Sequence, residues 1–504
     1  MEKEPSSAFI QRLIANRYRV RAVAKAPHGF VSYLVDLSSW KLRLSDQTPV
    51  IWIKGEEASR LSAQELIESL QDVTDQQGWR HRLCVALIDA PGEELQALAS
   101  ARYVPRFIVI DAVAQQRILA AHSFIGAFLD LVCEQIPLAN LAPYEVSAPV
   151  EGSGFFGRER EVDKILTRAE TNFAILGIRR IGKTSVLKEV QRRLLDQGED
   201  PARLVWLDGS TLQSPEHFVQ EMVRQLNIRE LPRLKDPSKY LFFFPNFLKR
   251  MSRMYGEQIV VFLDEADTVW EWLREDHSLL RDLRSAANDG VCRFLVTGFG
   301  VLAREIFNPQ SPLLNAFEIM RLDPFLPKDT SDVVVTPMAS MRVQFEKKDA
   351  IVSRVHDDTQ GHPLLVQYYC LELVSLLDRL GTRTLSPSHL EAVYTGDAMK
   401  AVVVNAFREN VTTADKLLVY ALLVSHAEDK STFTQQEMYG ALRRQHCRAV
   451  PEEIDRACDR LVLANVFVRY GTEYRFANKL LRHVLRANYN LDYLLAASRR
   501  EMAQ

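Results

Sequence analysis

The eight residues GIRRIGKT, Gly177 to Thr184, constrain this chain more than any others. They follow an apolar run, Phe173-Ala174-Ile175-Leu176, and precede a helical pattern, SVLKEVQRRLL. A strand that enters GxxxxGK[ST] and leaves as a helix is the pattern of a triphosphate-binding loop. Its two glycines let the backbone turn so that successive N–H groups point at phosphate oxygens. The helix that begins near Lys183 brings its positive dipole end to the same place. The residues expected against ATP or GTP are therefore Gly177, Ile178, Arg179, Arg180, Ile181, Gly182, Lys183, Thr184 and Ser185. Lys183 is expected on the β- and γ-phosphates and Thr184 on Mg²⁺.

A second element, IVVFLDEAD from Ile259 to Asp267, reads as a buried strand that presents Asp264 and Glu265 at its C-terminal end, where a parallel sheet places its chemistry. Asp264 is expected to hold Mg²⁺, directly or through water, and Glu265 to polarise an attacking water. Strand-like LVWLDGS lies between the two motifs and CRFLVTGFG follows them, with Thr297 at its end placed to sense the γ-phosphate or orient water. An intervening strand is the layout of the P-loop ATPase branch with a catalytic glutamate, as opposed to the kinase-like GTPase branch.

The rest of the chain sets outer limits. Its 504 residues suffice for roughly three or four domains with their own cores. With 25% charged residues and a net charge of -2, no global field draws it to nucleic acid or membrane. The N-terminus MEKEPSS lacks an apolar h-region, and no stretch approaches the ~18 uncharged apolar residues of a spanning helix. The expected compartment is the cytoplasm, with no membrane partner. Six cysteines sit singly in apolar runs and read as buried thiols.

The fold class expected is α/β, a P-loop NTPase parallel sheet with a helical lid, a C-terminal winged helix and a separate N-terminal α/β domain. Residues 1–140 alternate strand-like and helical runs. Pro137 to Gly154 carries three prolines and reads as a connection, with the linker proper at 141–154. The P-loop core follows over 155–325, a helical lid over 326–400, and a winged-helix block over 401–504.

The set FFGRERE (Phe155 to Glu161), GIRRIGKT, FLDEAD, FLVTG and GHPLL (Gly361 to Leu365), ahead of a winged-helix pattern, resembles the STAND class and the archaeal-type ATPases. A more distant likeness is to AAA+ origin-recognition initiators, and the resemblance covers about residues 154–490. It implies that Phe156, Gly157 and Arg158 lie beside the adenine and ribose, and that Pro363 touches the nucleotide from the lid. Spacing alone says only that GHP starts a helix before LLVQYYCLELVSLL. Members of the STAND class continue past the winged helix into a sensor array. This chain ends at Gln504, so ligand sensing is expected in the N-terminal domain, in a partner, or nowhere. For an arginine finger, Arg179, Arg180 and Arg304 are the candidates.

In the C-terminal block, the helix from about Pro451 to Ala464 carries Glu452, Glu453, Asp455 and Asp459 against Arg456 and Arg460, a balance that opposes phosphate. Arg443, Arg444, His446 and Arg448, with Arg469 and Arg475 on a hairpin turning at Gly471-Thr472, leave a nonspecific DNA contact as an unfavoured alternative. In the N-terminal domain, Asp36, Asp46, Lys54, Glu56, Glu57 and Asp89 invite a nuclease reading, but Trp52 stands where D…ExK needs a carboxylate. The run Arg12, Arg17, Arg19, Arg21 and Lys25 reads as a solvated face. The expectation is a nucleotide-driven switch in which ATP and ADP with Mg²⁺ set the state, the N-terminal domain meets a protein partner, and self-assembly follows the nucleotide. The competing expectation is an AAA+-like DNA-binding regulator.

Overall fold

A computed structural model describes residues 5–23, 30–44, 47–80, 82–91, 107–226, 238–273, 278–426, 430–447 and 450–503. Contacts divide the chain into two compact units, Met1–Phe155 with Lys328–Arg354 and Gln367–Val393, and Phe156–Pro327 with Val355–Val366 and Tyr394–Gln504. The stretch expected as a lid is thus shared between them.

The first unit holds a five-stranded sheet in sequence order: β1 (Val20–Ala22), β2 (Val31–Val35), β3 (Thr48–Ile53), β4 (Cys84–Ile88) and β5 (Phe107–Ile110). The β1–β2 and β2–β3 pairs are antiparallel, and β3–β4 and β4–β5 are parallel. Every residue of β3, β4 and β5 is buried, which is why these strands read as unbroken apolar runs and not as alternating ones. The helix Ala63–Gln76 starts at a capping box formed by Ser62 and Glu65, and packs Leu66, Ile67, Leu70 and Val73 with Ile51, Ile53, Ala86 and Ile88. On β5 the Gln135 amide pairs with both backbone groups of Val109, at 2.8 and 2.7 Å, and so occupies main-chain positions that another strand would take.

In the second unit, β6 (Phe173–Leu176), β7 (Leu204–Asp208), β8 (Ile259–Asp264), β9 (Cys292–Gly298) and β10 (Glu318–Arg321) form a sheet in the order β10-β6-β9-β8-β7. All four pairings are parallel. The two motif strands β6 and β8 are therefore separated by β9, and the C-terminal ends of all three open on one edge, where a doubly wound sheet binds ligands. Arg293 of β9 is 3% exposed, and its guanidinium ties down the turn before β6, donating to Ile165 O at 2.5 Å, Arg168 O at 3.0 Å and Thr171 O at 2.9 Å.

Residues 328–354 and 367–393 carry helices and the parallel pair β11 (Gln344–Phe345) and β12 (Thr384–Leu385) into the first unit. There the proline-bearing stretch after residue 137 is pinned. Asp378 accepts from the N–H groups of Leu138 and Ala139 at 2.9 and 2.8 Å, and Gln367 Oε1 accepts from Glu145 N at 3.1 Å. The second unit ends with the helices Asp397–Asn410 and Thr413–Ser425, strand β13 (Thr432–Thr434), the helices Gln435–Arg444 and Pro451–Leu463, the hairpin β14 (Phe467–Tyr470) and β15 (Glu473–Phe476), and the helices Lys479–Asn488 and Leu491–Ala503. The three strands form one antiparallel sheet in the order β13-β15-β14. Tyr470 pairs with Glu473 across Gly471-Thr472, the turn expected from the sequence. Among the described residues, no helix is long and apolar enough to cross a membrane.

Candidate functional site

After β6 the chain turns through Gly177–Gly182 into the helix Lys183–Asp196. Arg180 and Gly182 adopt left-handed backbone, φ +63° and +103°, and the second value is one that a residue with a Cβ reaches only under strain. The Lys183 side chain runs back along the loop, its ammonium donating to Gly177 O at 2.9 Å and Ile178 O at 3.0 Å. It is 6% exposed. Burial pulls its pKa down, while the carboxylates of Glu265, Asp264 and Asp267 act to hold the proton on.

Three side chains meet where β8 and β9 end and the loop helix begins. Thr184 Oγ1 donates to Asp264 Oδ2 at 2.8 Å, and Thr297 Oγ1 donates to Asp264 Oδ1 at 2.5 Å. Each carboxylate oxygen thus serves a different element, one the loop helix and one the neighbouring strand. Glu265 follows in left-handed backbone, φ +50°, with its N–H donating to Thr297 Oγ1 at 3.1 Å and its side chain half-buried. Behind this turn a Cβ on Gly209 would lie 2.5 Å from Glu265 O and 2.9 Å from Asp264 O, so only glycine fits there. The sequence motifs for loop, carboxylate pair and sensor threonine are brought together.

These donors fit a hard divalent cation. Mg²⁺ is bound through one or two carboxylates with waters and phosphate oxygens, and Asp264 with Thr184 supplies a buried carboxylate and a half-buried hydroxyl of that type. Among the described residues, no group of three or more His, Cys, Asp or Glu side chains is placed to hold a metal by protein ligands alone. In the first unit Asp89 accepts from Trp52 Nε1 at 2.6 Å and Lys54 lies over the Trp52 ring, while Asp46 and Lys25 fall outside the described residues.

The residues that the family resemblance implied are placed as follows. Phe156 is buried, and Gly157 has left-handed backbone, φ +70°. The Arg158 guanidinium stacks over Phe325 at 5.1 Å and donates to Asp323 O and, at 3.5 Å, to Ile181 O, so it fastens the GRE segment to the loop after β6 and to the chain leaving β10. Pro363 is buried as the first residue of the helix Pro363–Leu380. Of the arginine candidates, Arg304 is exposed and bonded to its own helix. Arg179 and Arg180, also exposed, meet the C-terminal end of the helix Asp397–Asn410. Arg179 N donates to Asn410 Oδ1 at 2.7 Å, and Arg180 Nε donates to Glu409 Oε2 at 2.9 Å.

Three features were not expected from the sequence. Asp267 accepts from the N–H groups of Phe299, Val301 and Leu302, at 2.6, 2.7 and 2.9 Å, and so locks the carboxylate turn to the end of β9; its place in DEAD was the visible signal. His362 is 5% exposed with no hydrogen-bond partner on either ring nitrogen. The contact of Glu409 and Asn410 with the loop spans 229 to 231 residues of sequence and had no local signal.

No protein-family model matches this chain, and no curated protein sequence matches it. Among solved structures it is similar to the Walker-type ATPase of Pyrococcus abyssi, with 18% identity and a TM-score of 0.50 over 68% of this chain and 99% of that one. It also matches the Aeropyrum pernix ORC2 protein in its ADPNP–ADP complexes, with 15% identity and a TM-score of 0.48 over 72% of this chain and 96% of that one. The Pyrococcus likeness shows the fold, which is that of a P-loop ATPase.

Proposed function

We propose that this protein is an ATP-binding and ATP-hydrolysing switch of the STAND type, in which nucleotide state governs engagement of a partner. The observation that carries the reading is the chain Thr184–Asp264–Thr297, which joins loop helix, β8 and β9 through one buried carboxylate. Gly177 to Ser185 would wrap the phosphates, Lys183 would leave its loop carbonyls for the β- and γ-phosphates, and Thr184 and Asp264 would hold Mg²⁺. Bound Mg²⁺ neutralises developing charge on the phosphates. Glu265 would take up the proton of the attacking water, with Thr297 fixing its backbone. Phe156, Gly157, Arg158 and Pro363 would border the base and ribose.

In this reading the helices Thr413–Ser425, Gln435–Arg444 and Pro451–Leu463 with β13, β14 and β15 are a winged helix that moves with nucleotide state, and the N-terminal sheet is the partner-binding module. Hydrolysis is slow and regulatory, self-assembly follows ATP, and the setting is bacterial signalling or defence. Glu265→Gln tests the chemistry. It keeps shape and leaves Asp264 in place, so nucleotide binding should persist while phosphate release falls by at least about a hundredfold. Wild-type release from the Gln variant would remove Glu265 from the mechanism.

The second reading, a DNA-binding AAA+-like regulator, is favoured by one feature of the C-terminal sheet. Arg475 lies over Tyr470 at 4.7 Å and Arg469 over Tyr474 at 5.7 Å, so the hairpin carries two cations braced on aromatic rings, and Tyr470 is exposed. Such a hairpin suits a phosphate backbone.

A further inference from the structure

The proposed nucleotide loop is already engaged, and by its own chain. The helix Asp397–Asn410 directs its C-terminal end at Arg179 and Arg180. Asn410 Oδ1 takes the Arg179 backbone N–H at 2.7 Å, and the Glu409 carboxylate takes the Arg180 guanidinium at 2.9 Å. A helix C-terminus carries about half a negative charge from its unpaired carbonyls. Glu409 adds a full one. The Arg179 N–H, a donor of the kind that suits phosphate, and the Arg180 guanidinium therefore face an amide oxygen, a carboxylate and a negative helix end, which together are an anionic surrogate. Asn410 is itself held, its Nδ2 donating to Ala406 O at 2.9 Å, so its oxygen is aimed at the loop by the helix.

We infer that Glu409 and Asn410 are an internal competitor for the phosphates, a pair of specificity-determining residues that make nucleotide binding and release of the helix Asp397–Asn410 mutually dependent. This rests on the proposed nucleotide site and adds a direction to it. An incoming phosphate meets like charge at Glu409 and needs the Arg179 N–H that Asn410 holds, so nucleotide entry drives the helix end off the loop. Only two residues, Val411 and Thr412, separate that helix from Thr413–Ser425, so the displacement passes directly to the C-terminal block. The side chains of Arg180 and Glu409 are 46% and 33% exposed, so this ion pair adds little by itself. The larger share falls to Asn410 and the helix end.

The test compares wild type with the Glu409→Ala/Asn410→Ala double variant, using a fluorescent ATP analogue with Mg²⁺, and adenosine as a phosphate-free competitor. Lys183→Ala in each background reports the loop itself. The double variant should bind the analogue about tenfold more tightly, equivalent to about 1.4 kcal/mol. Adenosine affinity should be the same in both proteins. Equal or weaker analogue binding by the double variant, with Lys183 still required, overturns the competitor and leaves the nucleotide site standing. Equal gains for the analogue and adenosine also overturn it, since a structural change of the pocket would do that. No Lys183-dependent binding in either protein refutes the nucleotide site and the competitor with it.

Discussion

His362 should make the second unit sensitive to mild acid. Its ring is 5% exposed in the GHP turn, with neither nitrogen hydrogen-bonded. Burial lowers its pKa to about 4 from the ordinary 6.5, opposed by the residue's own backbone and aided by the nearby Arg180 and Arg158 guanidinium charges. His356, on the preceding helix, is likewise depressed by burial, with Asp357 opposing. A base whose folded pKa lies below its unfolded value takes up protons preferentially in the unfolded chain. Stability from a neutral His362 is therefore fully present above about pH 6.5 and is lost as pH falls toward about 4. At about pH 5 the two pKa values give a loss of about 2 kcal/mol relative to neutral pH. For a unit of this size that lowers Tm by about 3 °C. The assay is a thermal melt of wild type and His362→Leu across this range, read as the difference between their pH dependences, so that carboxylates common to both cancel. The Leu variant should lose about 2 kcal/mol less than wild type between neutral pH and about pH 5. Parallel curves would show that the ring is not held neutral by its surroundings, and the reasoning from burial would fail.

Two further outcomes test other parts of the account. Arg293→Met should destabilise the second unit by about 3 kcal/mol, because one buried and two part-buried carbonyls lose a charged donor, and Arg293→Lys should recover part of that; equal melting of Met variant and wild type would mean the guanidinium is not holding the turn. Neutralising Arg443 and Arg444 together with Arg448, which lies outside the described residues, should leave ATPase activity nearly intact if the C-terminal block is a lever. A salt slope of duplex binding that falls by several units in that variant would favour the DNA-regulator reading.

Much of the site was legible because its chemistry is local in sequence. The glycine spacing of the loop, the apolar run ending in Asp264-Glu265 and the run ending in Thr297 each declare a strand end. Parallel pairing then brings those ends to one edge of the sheet. The division into two units was not legible in the same way. It depends on contacts such as Asp378 with Leu138 and Ala139, 240 and 239 residues apart, in which an ordinary helix-surface carboxylate receives two backbone N–H groups. The same holds for Asn410 on the loop, since a helix ending in Glu-Asn has no periodic feature to set it apart. Arg158 shows a third limit. The family resemblance implied a place beside the nucleotide, and it said nothing of the bonds from its guanidinium to carbonyls of the loop and of Asp323, a fastening that no spacing rule encodes.

The most direct measurement of the central claim is the thermal stability of wild type and Lys183→Ala with and without ATP and Mg²⁺. Lys183 is buried and donates to two loop carbonyls, so the variant should melt somewhat lower without nucleotide, and the effect of ATP on each protein is read against its own nucleotide-free melt. At ~100 times its Kd, ATP should add about 2.7 kcal/mol to the wild type and nothing to the variant. An ATP-induced shift of equal size in both proteins, or none in the wild type, would contradict a phosphate site at Gly177 to Thr184.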